Sequence, residues 1–84
     1  MRVLDFEERA WEQDGIRIVV RAADDIEIGE YPRQNAAPAT QSVTDWLRNR
    51  ITPFTNGHDV IVIGGDGETP HGRSLLRTVR DSYR

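Results

Sequence analysis

The hydrophobic positions of this chain fall into six patterned stretches separated by turn residues. The clearest is Gly15 to Ala22, "GIRIVVRA", in which Ile16, Ile18 and Val20 alternate with Arg17 and Arg21. Period-two alternation marks a half-buried strand. The pair Asp14-Gly15 before it is a type I′ hairpin signal, because both central positions of that turn need positive φ. The segment at residues 3–12 is open to two readings: Leu4, Phe6 and Ala10 fit one side of a strand, while "EERAWEQ" is rich in helix formers and Gly15 could end a helix. The hairpin signal favours the strand. A third short strand is expected around Ile26 and Ile28, ending before Pro32.

The stretch "PRQNAAPAT" has two prolines and no period, so it reads as a loop. From Ser42 the pattern becomes helical, with Val43, Trp46, Leu47 and Ile51 on one stripe, Ser42 with Asp45 as an approximate capping box, and Pro53 as the stop. Val60 to Ile63 is apolar at every position, which asks for cover on both faces and points to a central strand. The last segment, "TPHGRSLLRTVRDSYR", begins with Thr69 as a cap and Pro70 as first helical residue. Leu75, Leu76, Val79 and Tyr83 then share one arc of that helix. The expected fold is α+β: one domain over residues 1–84, in the order β-β-β-α-β-α, with a mostly antiparallel four-stranded sheet and two helices packed on it.

Composition narrows the function. A chain of 84 residues buries only about 60 to 65% of its unfolded surface, so a large active-site cleft would need a partner. No apolar run approaches the roughly 20 residues that span a bilayer. The acidic start "MRVLDFEERAW" has no signal-peptide core, so the expectation is a cytoplasmic protein without a membrane association. Cysteine is absent, and His58 and His71 stand in no metal-ligand frame, so neither a metal nor a cofactor is expected. All 11 basic residues are arginine, the usage of a GC-rich genome. Residues 1–31 hold nine acids and four arginines, a net of −5, and residues 32–84 hold five acids and seven arginines, a net of +2, which sum to −3. Such a dipolar chain suits protein contacts better than general attraction to nucleic acid.

Two motifs invite a chemical reading. "VIVIGGD" followed by "GETPHGRS" lays out a strand, a glycine-rich turn, G-x-x-x-x-G, a basic residue and a hydroxyl, as a phosphate-binding loop does. Here Arg73 replaces the lysine, and too little chain follows Ser74 to supply the acid of a magnesium site. "GGDG" also resembles the signature of the NAD kinase and diacylglycerol kinase superfamily, over four residues and in a far shorter chain. The stretch therefore reads as a turn and helix start, with a residual capacity to hold an anion near Gly72, beside His71 and Arg73. The second motif is Arg73, Arg77, Arg80 and Arg84, spaced to lie in one row of the last helix. It offers a contact for an acidic protein patch or for nucleic-acid phosphates. Trp11, beside Glu12, is the aromatic best placed for an exposed contact. Catalytic constellations are thin, and a non-enzymatic role is expected.

The phrases "SVTDWLRNRI" and "VIVIGGDGETPHGRSLLRTVRDSYR" resemble those of small uncharacterised proteins encoded by phages of actinobacteria. That resemblance covers the C-terminal half and implies a class of small accessory proteins that bind one protein of the host, without catalytic residues to carry over. The expected function is thus binding through a protein surface, either a partner protein or self-association. The alternative is a nucleic-acid or anion-binding module using the arginine row.

Overall fold

A computed structural model describes residues 1–32 and 35–84. Arg33 and Gln34, in the loop expected from Pro32 onward, lie outside the described residues. The element order is helix α1 (Val3–Arg9), strand β1 (Arg17–Val20), helix α2 (Val43–Trp46), strand β2 (Val60–Ile63) and helix α3 (Leu76–Ser82). Helix and strand are both present, but the sheet has two strands rather than four, and the chain opens on a helix.

The first correction is at residues 3–14. Val3, Phe6, Ala10 and Asp14 recur at spacings of three and four and are all buried, so one helical face meets the core. The helix continues past Arg9 as a wider π-type turn over Ala10–Asp14, and Gly15 closes it in the left-handed conformation, φ 66° and ψ 27°. Gly15 is therefore a helix C-cap and not half of a hairpin turn. The second correction is the strand expected at Ile26–Ile28. That segment makes only an isolated bridge, Arg2 to Glu27, flanked by bonds from Val3 N–H to Ile26 C=O (2.9 Å) and Ile28 N–H to Met1 C=O (2.8 Å). Its partner is the two-residue N-terminus, which turns at once into α1 and so cannot extend a ladder.

β1 and β2 pair antiparallel, Arg17 opposite Ile63 through Val20 opposite Val60, and Arg21 N–H to Asp59 C=O (2.8 Å) adds one step. Ile18, Val20 and Val62 turn inward and are buried with Val3, Phe6, Trp46, Leu76 and Val79. β2 is thus paired on one side only, and the central position expected for it is not found. α2 begins as its sequence indicates, with Ser42 Oγ accepting from Asp45 N–H at 3.2 Å. It runs on through a π-type turn at Leu47–Ile51 and a 3₁₀ turn at Thr52–Phe54 that contains Pro53.

The third correction concerns the start of α3, expected at Thr69 and Pro70 but found after Leu75. Residues 71–74 form a turn closed by Ser74 N–H to His71 C=O (2.9 Å) and lie against the start of α2, with Thr44 N–H bonded to Gly72 C=O (3.0 Å), Val43 N–H to Ser74 C=O (2.9 Å) and an isolated bridge between Ser42 and Leu75. Those bonds hold the chain out of a helix for six residues. None of the helices among the described residues is long and apolar enough to cross a membrane.

A buried carboxylate ties these elements together. Asp14, 1% exposed, accepts from Ala37 N–H (2.7 Å), Trp46 Nε1 (2.9 Å), Arg50 Nη1 (2.8 Å) and the Tyr31 hydroxyl. Its own backbone carbonyl accepts from Arg80 Nε at 2.7 Å. One residue at the end of the first helical segment thereby holds the loop at Ala37, the end of α2 with the turn that follows it, and the middle of α3. Burial and the neighbouring Asp14 carboxylate push the Tyr31 hydroxyl far above the usual phenol range, so Tyr31 stays a donor.

Candidate protein-docking face

The outer side of the two-stranded sheet carries the residues of odd parity on β1, Arg17 and Val19, opposite Ile63 and Ile61 of β2. Leu4 and Trp11, seven residues apart on the side of α1 away from the core, stand beside them. Leu4 (45% exposed), Trp11 (42%) and Val19 (44%) are three of the four large hydrophobics most open to solvent. Together with Ile63, Arg17 and the carboxylates Glu7, Glu8 and Glu12 they line an open groove of about 410 Å³. Large exposed apolar groups gathered on one face mark interaction surfaces, whereas scattered ones need no explanation.

The groove is built stiffly. Trp11 meets Tyr83 edge to face, with centroids 5.3 Å apart and planes at 81°. The Arg17 guanidinium carbon sits 4.5 Å from the centre of the Trp11 ring, a cation–π distance. Tyr83 anchors this stack: its hydroxyl accepts from Arg17 N–H (2.9 Å) and donates to Ile63 C=O (2.5 Å), pinning α3 to the end of the sheet. Burial raises the Tyr83 pKa, so the hydroxyl keeps its proton. Three amphipathic side chains are therefore held in place before anything binds.

The edges of the sheet, in contrast, are engaged. Val20 N–H points away from β2, and Glu7 Oε2 from α1 accepts it at 2.8 Å. Desolvation lifts the Glu7 carboxyl above its usual range, opposed by the Val20 N–H and assisted by Asp24. On β2, Gly64 N–H reaches Glu68 C=O at 2.8 Å across a tight turn. The next antiparallel step would oppose Val62 to Pro70, which has no N–H to give, so this hairpin stops after one bond. Thr69, Pro70 and Gly72 nonetheless stay alongside, and with Val43 and Leu47 they wall a hollow of about 300 Å³ over Val60 and Val62. A charged side chain and a proline at the edges are recognised means of discouraging strand addition. Access is left from the face.

The residues singled out in the sequence are dispersed. Of the four arginines only Arg77 and Arg80 lie within α3; Arg73 precedes it and Arg84 follows it. Arg73, Arg77 and Arg84 are exposed, with Arg84 Nη2 4.0 Å from Asp81. Arg80 turns inward, donating to Asp14 C=O and, through Nη2, to Ala37 C=O at 2.9 Å. His71 is exposed, and its Nδ1 accepts from Arg73 N–H at 3.0 Å. No helix begins at Gly72, whose carbonyl is already used by Thr44. The glycine turn opens instead on a hollow of about 390 Å³ lined by Gly64, Asp66, Glu68, Thr69, Ser74 and Ser82 among others. Carboxylates and hydroxyls line it, with neither Arg73 nor His71, which is the reverse of what a phosphate asks for. Among the described residues no group of three or more acids or histidines is placed to hold a metal ion.

Trp11 is thus the sequence-selected residue that the fold sets in an open groove. Leu4, Val19 and Ile63, which line the groove with it, are core or strand residues by their sequence pattern. The signal that could have found them was the unbroken apolar run at Val60–Ile63, which needs cover on a face the chain does not itself supply.

The molecule is a small α+β arrangement of helices around a two-stranded antiparallel sheet. Comparison with protein-family models, with curated proteins and with solved structures returned no match to this chain.

Proposed function

We propose that this is a non-enzymatic binding protein that docks another protein surface on the open face of its sheet. The observation that carries the reading is the grouping of Leu4, Trp11 and Val19, each more than 40% exposed, around a single groove whose aromatic wall is already fixed. Trp and Arg are favoured at the centres of interfaces, and here they are stacked on each other in advance, which lowers the entropy lost on binding. The engaged edges favour face-on packing over strand addition. The arginine-row alternative is weakened by Arg80, whose guanidinium is committed to two backbone carbonyls.

Photo-crosslinking distinguishes the two surfaces. With p-benzoylphenylalanine at position 11 in one variant and at position 77 in another, irradiation of expressing cells is expected to give a discrete protein adduct from position 11 and none from position 77. Adducts from 77 alone, or nucleic-acid adducts from it, overturn the docking-face reading.

A further inference from the structure

The charges on the open face point to what covers it. Glu8 and Glu12 stand along the α1 side of the groove, and neither has a basic side chain within 4.0 Å among the described residues. Arg17 lies on the β1 side of the same groove, and Arg21 follows at the same parity along the extended ladder. Neither arginine has a carboxylate within that distance among the described residues, although both are exposed. The face therefore carries acids along the first helix and arginines along β1, unpaired with each other among the described residues, with the apolar side chains of Leu4, Trp11, Val19 and Ile63 interspersed.

A uniformly basic partner would meet Arg17 and Arg21, and a uniformly acidic one would meet Glu8 and Glu12. A surface that bears both signs among apolar side chains is complementary to itself after a half-turn: in a two-fold interface residue i meets j of the other copy while j meets i. The acids of each copy then face the arginines of the other, and Leu4, Trp11, Val19, Ile61 and Ile63 lose water together. The unbroken apolar run of β2 becomes covered on both faces.

We infer that the occupant of the open face is a second copy of this chain, in an isologous dimer that juxtaposes Glu8 and Glu12 of one copy with Arg17 and Arg21 of the other. This rests on the docking-face reading and names its partner. The chain is already compact alone: its accessible surface of 5192 Å² matches the ~5,100 Å² of a folded monomer of its mass. Glu8, Glu12 and Arg21 are exposed, so replacing them removes no buried contact of the subunit.

Sedimentation velocity tests it with a reciprocal pair of variants. Glu8→Arg with Glu12→Arg reverses the acids of the face, and Arg17→Glu with Arg21→Glu reverses its arginines. The wild type is expected to sediment at twice its 9.6 kDa, each variant alone as a monomer, and their equimolar mixture as a dimer containing one of each. Arg21→Glu alone, which leaves the Arg17–Trp11 stack intact, is expected to lower dimer affinity at least tenfold and serves if the double change disturbs the fold. A wild type that remains monomeric at 0.5 mM overturns the second copy while a position-11 adduct to a different protein keeps the docking face. Variants that dimerise as the wild type does place the dimer contact elsewhere and also overturn it.

Discussion

Asp14→Ala is expected to lose about 3–5 kcal/mol of folding stability, the cost of removing one partner from a buried ion pair and leaving the other charge uncompensated. The change strands the Arg50 guanidinium, the Trp46 indole N–H, the Ala37 N–H and the Tyr31 hydroxyl at once. Small domains have a net stability of roughly 0.05–0.15 kcal/mol per residue, so a loss of this size takes most of it. In urea titrations followed by circular dichroism, the variant is expected to be largely unfolded without denaturant. Asp14→Asn keeps an acceptor for the Ala37 N–H but not the charge opposite Arg50, and it falls between the two. An Asp14→Ala variant within about 1 kcal/mol of the wild type would show that the carboxylate is not the hub described.

The second large effect is expected at Gly65, and its cause is space rather than conformation. A Cβ there would overlap the Ser82 carbonyl group and come within 3.0 Å of the Tyr83 nitrogen, so α3 reaches the turn only because no side chain intervenes. Gly65 N–H also donates to Ser82 Oγ at 2.9 Å. Overpacking against backbone cannot relax by a rotamer change, so Gly65→Ala is expected to cost about 3 kcal/mol and to loosen the Tyr83 anchor. Gly67 is the control: its φ of 83° strains an alanine, but nothing lies within 4 Å. Gly67→Ala is expected to cost about 1–2 kcal/mol. Thermal melts of the two variants check the order, and equal losses would mean that close approach of α3 is not what the glycine cluster serves.

Local signals were sufficient wherever the deciding interaction was local. Ser42 caps α2 through a residue three positions away, and Trp46 is buried on the stripe its spacing gives it. Asp14-Gly15 was misleading because a glycine with positive φ serves a hairpin and a helix end equally. What decides between them is the use of the Asp14 carboxylate by residues 17, 23, 32 and 36 positions away, which no window of sequence contains. A single helical row of arginines presumes a helix from Pro70, whereas a turn held against α2 delays the helix to Leu76, so that Arg73 lies outside it. Val60–Ile63 is a strand, as its apolar run indicates, but not the central one that the run leads one to expect. Its pattern asks for cover on both faces without saying whether a neighbouring strand, a helix or another molecule supplies it.

Association through the open face is the central claim, and a concentration series of the wild type by nuclear magnetic resonance tests it without altering a residue. As the protein is diluted from 0.5 mM to 10 µM, the methyl signals of Leu4, Val19, Ile61 and Ile63 and the Trp11 indole signal are expected to shift together along one binding curve. The amides of Arg73, Arg77 and Arg84 are expected to stay still. Face signals that do not move, or shifts gathered instead on those arginines, would contradict it.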